Sequence, residues 1–194
     1  MRRDQLERAI RAACQIIGSD EVIIVGSQAI LGRLDEDELP RAATMSLEID
    51  VLPVADDNEE AAHPADVTGG VAGEFSPFEE LHGFSIDGVD LTASCLPAGW
   101  RERLVRVQNP NTAAAGTSHE FTGWCLDKED LCVAKLCAHR EKDRNFVAAL
   151  LDASLVNPDL IEVRVPTVEP QHRDRVDNVL AWIATWRGSR DRDS

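Results

Sequence analysis

The chain lacks a long hydrophobic run, which bears on where the protein works. None of its apolar stretches approaches the roughly 20 residues that a transmembrane helix requires. The opening residues Met1–Asp4 (MRRD) also lack the apolar core of a signal peptide. We therefore expect a cytoplasmic protein with no membrane partner.

Positive charge is scarce as well. The chain has 20 Lys and Arg against 35 Asp and Glu, which gives a formal net charge of -15. A protein that holds nucleic acid through general electrostatic attraction normally presents a basic face. The composition argues against that mode of binding, although it leaves room for a local basic groove and would suit a basic protein partner.

The chain has no C-x-x-C pair, a spacing typical of zinc sites and redox dithiols. We predict that its cysteines are reduced, mostly buried thiols of a cytosolic protein. A metal role for Cys132 and Cys137 is disfavoured, because residues five apart on a helix do not face the same way. The cysteines are Cys14, Cys95, Cys125, Cys132 and Cys137.

The most informative stretch that is present runs from Glu21 to Pro53. Four β-branched apolar residues, Val22–Val25, predict a buried strand. Gly26-Ser27 then marks a turn, with Ser27 placed to cap the next helix. In the second apolar run side chains alternate, so Glu48 and Asp50 project from one face of a strand.

This order of parts indicates a chemistry. A helix N-terminus favours phosphate through its backbone N–H groups and dipole. Two carboxylates roughly 7 Å apart along a strand suit a divalent cation. Together they predict nucleoside triphosphate chemistry. The alternative is that Gly-Ser is an ordinary turn after a strand and that the two carboxylates lie on a solvated strand face. Each of these features is common when it occurs alone.

The middle of the chain predicts a hairpin and little helix. Residues 55–74 are rich in charge and glycine, so we expect a loop, a frayed helix or a short one there. Phe84–Ile86 and Val89–Ser94 are short apolar runs joined by Asp87-Gly88, a strong hairpin signal. Asp90 on the second run is either a third carboxylate near the first two or a solvent-facing hairpin residue.

Helices dominate the rest of the pattern. An amphipathic helix is predicted at Gln5–Ile17, ended by Gly18. Further helices are predicted at about Lys128–His139, Asp143–Leu155 and His172–Trp186. Lys135 interrupts an apolar helix face, so it either extends to solvent or faces a bound phosphate. The charges at 140–144 by themselves suggest a solvated corner between helices.

The order of these elements resembles the nucleotidyltransferase superfamily, whose signature is Gly-Ser at a strand–helix junction followed by a D-x-D or E-x-D strand. The segments Gly26–Gly32 (GSQAILG) and Ser46–Asp50 (SLEID) resemble most the bacterial branch of AbiEii-like proteins of type IV toxin–antitoxin systems. Lys135-Leu136 and Lys142-Asp143 are similar in type and order to later motifs of that branch. The resemblance covers roughly residues 20 to 152.

The resemblance implies an α+β protein with a nucleotidyltransferase fold. That fold is a small mixed β-sheet flanked by helices, with a helical C-terminal part. We expect residues 1–126 to form the catalytic core and residues 127–194 to form helices packed on it as one compact unit.

The resemblance also implies roles for individual residues. Glu48 and Asp50 would be catalytic ligands of Mg²⁺, with Asp90 as the candidate third ligand. Glu48 departs from the more usual Asp, so the metal geometry could differ. Lys135 and Asp143 would complete the catalytic set. The nucleotide-binding residues would be Gly26, Ser27, Lys135, Arg140 and Lys142.

The implied activity is Mg²⁺-dependent transfer of a nucleoside monophosphate from a nucleoside triphosphate to a hydroxyl group. The acceptor alternatives are RNA (tRNA in the toxin branch), a protein or a small molecule, and the toxin branch implies an antitoxin protein as partner. Two other hypotheses stay open. One is a catalytically degenerate protein that binds a nucleotide or a protein partner, and the other is an unrelated α/β scaffold with an accidental match.

Overall fold

The computed structural model describes residues 1–193, with side chains described through residue 190. Seven α-helices and five β-strands, joined by turns of 3₁₀ helix, make up this part of the chain. The helices are α1 Arg3–Ile17, α2 Asn58–Ala72, α3 Pro77–His82, α4 Lys128–Ala138, α5 Glu141–Asp152, α6 Pro158–Arg164 and α7 Arg173–Asp193. The strands are β1 Glu21–Ile24, β2 Glu48–Pro53, β3 Ser85–Gly88, β4 Val105–Val107 and β5 Thr122–Cys125.

The strands form one five-stranded mixed sheet in the order β3-β2-β1-β5-β4. Strand β1 pairs antiparallel with β2 and parallel with β5. Strands β2 and β3 are parallel, and β4 and β5 are antiparallel. The sheet confirms the predicted α+β class with a small mixed sheet flanked by helices.

Helices α1 and α2 pack against each other and against strands of the sheet, whereas α4 contacts the 3₁₀ turn Ser27–Gly32. Helix α1 buries Leu6 and Ile10 completely and ends where Gly18 takes a left-handed conformation, with φ 75°. The predicted N-terminal helix and its glycine terminator are thus confirmed.

Helix α2 is longer and more regular than the loop, frayed helix or short helix expected at residues 55–74. It is a single helix of 15 residues, with Pro64 inside it. The Asp57 side chain caps it by accepting a hydrogen bond from Glu60 N, 3.0 Å away. A Cβ at Gly88 would lie 1.9 Å from the Ala65 carbonyl oxygen, so glycine in β3 lets α2 approach closely. Packing on the sheet therefore overrides the weak helix propensity of this segment.

The predicted hairpin around Asp87-Gly88 is wrong. These residues end β3, which pairs parallel with β2, and residues 89–94 leave the sheet. Phe84 and Ile86 are completely buried and need a strand partner, which the free edge of β2 supplies. Parallel pairing requires a long connection between the strands, and α2 and α3 provide it.

The C-terminal helices form close to the predicted positions. Asp127 caps α4 by accepting a hydrogen bond from Glu129 N at 3.2 Å. Asp130, in the first turn of α4, does not form part of this cap. Its fully buried carboxylate instead binds Arg103 and Arg164, which belong to other elements.

Among the described helices, none combines the length and the apolar character needed to cross a membrane.

The five cysteines are buried free thiols, which confirms the sequence-based prediction. Burial raises the pKa of Cys14 to about 12 and that of Cys125 to about 12. Thiols with such pKa values stay protonated near neutral pH, so these two residues act as small apolar side chains in the core.

Candidate functional site

Strands β2 and β3 bring three carboxylates together. Ligand oxygens of Glu48, Asp50 and Asp87 all lie within 4.8 Å of one another. Glu48 and Asp50 share a face because side chains alternate along a strand. Asp87 joins them because it is the direct partner of Asp50 in the parallel register. We call these three residues the acidic cluster.

Asp90, the candidate third carboxylate from the sequence, lies outside the acidic cluster. Its carboxylate accepts hydrogen bonds from the Thr92 amide at 2.8 Å, the Thr92 hydroxyl at 2.6 Å and the Asn58 carboxamide at 3.4 Å. The hydrogen bond from the Thr92 side chain is the main cause that lowers the pKa of Asp90. Asp90 thus holds a local turn, and Asp87 occupies the place expected for it.

The sequence did carry a signal for Asp87. The dipeptide Ile-Asp occurs in both strands, at Ile49-Asp50 and at Ile86-Asp87, with the isoleucine fully buried each time. Those pairs are register partners in the structure. Reading Asp87-Gly88 as a hairpin turn concealed this repetition.

The acidic cluster is electrostatically crowded. Burial is the main cause that raises the pKa of Glu48, and the neighbouring charge of Asp50 adds to it. Burial likewise raises the pKa of Asp50, while Lys135 acts in the opposite direction. Three carboxylates held this close together suit a hard divalent cation, which relieves their mutual repulsion. The residues present therefore fit a magnesium-type site.

Gly26 is required at this site for space. A Cβ there would lie 1.6 Å from Asp50 Oδ2. The backbone of Gly26 is extended, with φ -83° and ψ -169°, so its conformation would suit any residue. The neighbouring Val25 amide donates a hydrogen bond to the Asp50 carbonyl at 3.1 Å. The Gly-Ser turn and the acidic cluster are thus in direct contact.

Ser27 does not cap the following helix as predicted. Gly26 occupies the cap position, and Ser27 is the first residue of a 3₁₀ turn of six residues. Among the described residues, none forms a hydrogen bond with the Ser27 hydroxyl. This hydroxyl is therefore available to a ligand at the turn.

Helices α4 and α5 place two cations beside the acidic cluster. Lys135 Nζ lies 3.3 Å from Asp143 Oδ1, and Arg140 Nε lies 2.5 Å from Asp143 Oδ2. The side chains of Lys135 and Asp143 are only 12% and 2% exposed, so the lysine does not extend to solvent. Asp143 is not part of the acidic cluster. It holds Lys135 and Arg140 in place.

A cleft joins these groups. Its walls include Gly26, Asp50, Lys135, Arg140 and Arg175, and its volume is about 180 Å³. We call it the cationic cleft. Sequence reasoning missed Arg175, which lies on α7 and comes near the site only because α7 packs on α4. Its guanidinium donates a hydrogen bond to the Cys137 carbonyl at 3.4 Å.

The last nucleotide-binding candidate, Lys142, lies at the start of α5 and is exposed. Its positive charge acts on both Glu48 and Asp50, where it lowers their pKa values against the larger effect of burial. The structure thus brings eight of the nine candidates into one region and leaves out Asp90. Those eight are Gly26, Ser27, Glu48, Asp50, Lys135, Arg140, Lys142 and Asp143.

A protein-family model described as a nucleotidyltransferase of unknown function (DUF6036) matches residues 4–182. The match spans all five strands, the acidic cluster and the cationic cleft. No curated protein and no solved structure matches the chain significantly.

Proposed function

We propose that this protein transfers a nucleoside monophosphate from a nucleoside triphosphate to a hydroxyl group. The chain belongs to the family of nucleotidyltransferases of unknown function whose model it matches. The family match confirms the predicted superfamily and removes the unrelated-scaffold alternative. One observation supports this specific reaction. Asp50 belongs both to the acidic cluster and to the wall of the cationic cleft. A metal and a polyphosphate can therefore bind side by side.

The acidic cluster would hold the divalent metal, which we propose is Mg²⁺, through carboxylate oxygens of Glu48, Asp50 and Asp87. When bound, such an ion neutralises charge on the phosphates and activates the reacting groups as a Lewis acid. Asp50 is positioned for this role by Gly26, whose missing side chain leaves room for the carboxylate.

The phosphates would lie along the Gly-Ser turn and the cationic cleft. Backbone N–H groups at Gly26 and Ser27 and the Ser27 hydroxyl can donate hydrogen bonds to phosphate oxygens. Lys135 and Arg140 would stabilise the charge that builds on pyrophosphate as it leaves, because their positions are already fixed by Asp143. Arg175 supplies a third positive charge to the same cleft.

The acceptor hydroxyl must lose a proton as it attacks the α-phosphate. Asp143 is occupied by two ion pairs, and Asp90 lies outside the acidic cluster. We therefore propose that a carboxylate of the acidic cluster receives this proton. Asp143 acts instead by orienting Lys135 and Arg140.

An RNA acceptor, a toxin role and an antitoxin partner are the finer proposals that the AbiEii-like resemblance implies. The described basic residues give RNA little support. Arg103 is bound to the buried carboxylate of Asp130, and Arg140 lines the small cationic cleft, so neither adds to an extended basic face. Arg106 lies on β4, at the opposite edge of the sheet from β3.

Incubation with Mg²⁺ and each α-labelled nucleoside triphosphate, with total cellular RNA, protein and small-molecule fractions as acceptors, tests the proposal. We expect label to enter one fraction with the wild-type protein and to stay in the nucleotide with a folded Asp50→Ala variant. That fraction names the acceptor class. Triphosphate binding without any transfer would favour the alternative, a catalytically degenerate nucleotide-binding protein.

A further inference from the structure

A second cavity adjoins the cationic cleft on the far side of the Gly-Ser turn. Its walls include Ser27, Ala42, Met45, Lys142, Asn145 and Phe146, and its volume is about 450 Å³. We call it the side groove. Small-molecule sites usually have volumes of about 300 to 1,000 Å³, so the side groove is large enough for a ligand fragment.

The walls of the side groove and the cationic cleft are formed by neighbouring residues at two places. Gly26 lines the cleft, and the next residue, Ser27, lines the groove. Lys135 lines the cleft, and its ion-pair partner Asp143 lines the groove. The two cavities are thus adjacent at the Gly-Ser turn, and a ligand that spans this turn would reach both.

The two cavities differ in chemistry. The cleft gathers cations, whereas the groove has apolar walls from Ala42, Met45 and Phe146. Met45 is 71% exposed, so its side chain is accessible to a ligand in the groove. Asn145 is also exposed, and its carboxamide has no hydrogen-bond partner among the described residues.

A third cavity beside the acidic cluster is a poor place for either half of a nucleotide. Its walls include Glu48, Glu74, Glu79 and Asp87. Four carboxylates repel phosphate, and Leu47 is the only apolar side chain among the residues that line this cavity. This leaves the side groove as the position beside the metal and the phosphates that suits an aromatic ring.

The wall that carries Met45 is anchored to the site. Gln28, completely buried in the 3₁₀ turn, donates a hydrogen bond from Nε2 to the Ser46 carbonyl at 2.9 Å. The segment Met45–Ser46 is therefore tied to the Gly-Ser turn before any ligand binds. A groove formed in advance in this way loses less conformational entropy on binding.

We infer that the side groove receives the nucleobase of the triphosphate, with Met45 covering a face of the base and Asn145 binding its edge. This inference rests on the proposed function. A carboxamide offers both donors and an acceptor, and it can form paired hydrogen bonds with a base edge. Asn145 then makes the protein selective among the bases, while Met45 contributes affinity for any of them.

The test compares the four nucleoside triphosphates with inorganic tripolyphosphate, each in Mg²⁺, by calorimetric titration. We expect the wild-type protein to prefer one base by about tenfold, as one paired contact provides. Asn145→Ala should remove this preference, and Met45→Ala should weaken all four triphosphates alike. Both variants should bind tripolyphosphate as the wild type does. Asn178→Ala, an exposed asparagine on α7 outside both cavities, is the matched control.

The outcomes separate this inference from the proposed function. Unchanged triphosphate affinity and selectivity in both variants would overturn the side groove as the base site, as would an equal loss of tripolyphosphate binding. A wild-type protein that binds neither tripolyphosphate nor any nucleoside triphosphate would instead overturn the proposed function.

Discussion

Asp87 and Asp90 are three positions apart and belong to different environments. Asp87 lies in the acidic cluster, whereas Asp90 is hydrogen-bonded to Thr92 and Asn58. Replacing each by asparagine preserves size and removes one charge. We expect Asp87→Asn to weaken Mn²⁺ binding at least about tenfold. Mutating a residue that only hydrogen-bonds to a metal ligand usually costs at least that much, and Asp87 would be a ligand itself. Asp90→Asn should bind Mn²⁺ as the wild type does.

Electron paramagnetic resonance titration with Mn²⁺ measures both affinities, and circular dichroism verifies that both variants are folded. Equal losses in the two variants would mean that the acidic cluster extends to Asp90. No loss in either would mean that Asp87 is not a metal ligand.

At Gly26, we expect alanine to damage the site more than the fold. The added Cβ would lie 1.6 Å from Asp50 Oδ2 and would displace that carboxylate. Because the Gly26 backbone is extended, alanine adds no backbone strain. Mn²⁺ affinity and nucleotide transfer should therefore fall, while the thermal midpoint changes little.

Gly70→Ala is the control for this substitution. Gly70 lies in α2, and a Cβ there meets no atom within 4 Å. Alanine in a helix interior is favoured over glycine by about 1 kcal/mol, so this variant should be as stable as the wild type or slightly more stable, and fully active. Normal Mn²⁺ binding by Gly26→Ala would contradict the contact with Asp50.

Single residues also show which parts of the site can be predicted from local sequence. Alternation along β2 was enough to place Glu48 and Asp50 on one face, because it depends only on the strand period. The position of Asp87 depends on the register between two strands, which local sequence does not encode. Arg175 depends on the docking of a distant helix, so no spacing rule would find it.

At the scale of elements, the buried carboxylate of Asp130 connects three parts of the chain. It binds Arg103 at 2.8 Å, just before β4, and Arg164 at 2.9 Å, at the end of α6. We expect Asp130→Asn to lower the free energy of unfolding by about 3 kcal/mol, because two arginines lose a buried partner. Both arginines are partly exposed, so the effect should lie near the low end of the range for buried pairs.

Urea denaturation measures this cost against Asp159→Asn. Asp159 pairs with Arg187 on the surface, and its side chain is 74% exposed. Exposed pairs contribute about 0 to 1 kcal/mol, so the control should stay close to the wild type. A similar, small effect for both variants would mean that the buried network does not hold the elements together.

The cap of α4 makes stability depend on pH. Burial raises the pKa of Asp127, but the hydrogen bond and charge of Arg164 outweigh it and hold the pKa below the ordinary 3.8. The ionised carboxylate therefore stabilises the folded protein above the unfolded pKa, and this contribution disappears as pH falls through the folded value.

Asp127→Asn isolates that charge, because asparagine caps helices about as well as aspartate. We expect the difference in unfolding free energy between wild type and variant to be constant above about pH 5 and to shrink below about pH 4. Denaturation series at several pH values measure it. A difference that persists undiminished at the lowest pH would contradict the role of the Arg164 pair.

Elements with a strong period were predictable, and elements that depend on packing were not. The stripe of Leu6 and Ile10 predicted α1, and Gly18 predicted its end. Helix α2 was missed because its low helix propensity is offset by contact with β3 at Gly88. Strand β3 was misassigned because Asp87-Gly88 has the composition of a turn whether or not it forms one.

For the molecule as a whole, charge is distributed unevenly. The chain carries a net charge of -15, yet Lys135, Arg140 and Arg175 line one cleft. A concave cluster of one sign concentrates the field and attracts small ions of the opposite sign. This arrangement favours a compact polyphosphate at the cleft and opposes a long polyanion that would also meet the acidic surface.

Composition alone predicted a protein that does not bind nucleic acid through general electrostatic attraction. It did not predict where the basic side chains of the cleft come together. That gathering requires α4, α5 and α7 to meet beside β2, which is a property of the assembled fold. The family match through residue 182 includes the part of α7 that carries Arg175.

The measurement that tests nucleotidyl transfer most directly follows the α- and γ-phosphates of one triphosphate in parallel reactions. With Mg²⁺ and the acceptor fraction, the account predicts that α-label becomes attached to the acceptor and γ-label leaves as pyrophosphate. Both changes should be absent with Asp50→Ala. Transfer of γ-label to the acceptor, or its release as inorganic phosphate with the α-label left on a nucleoside diphosphate, would contradict the account.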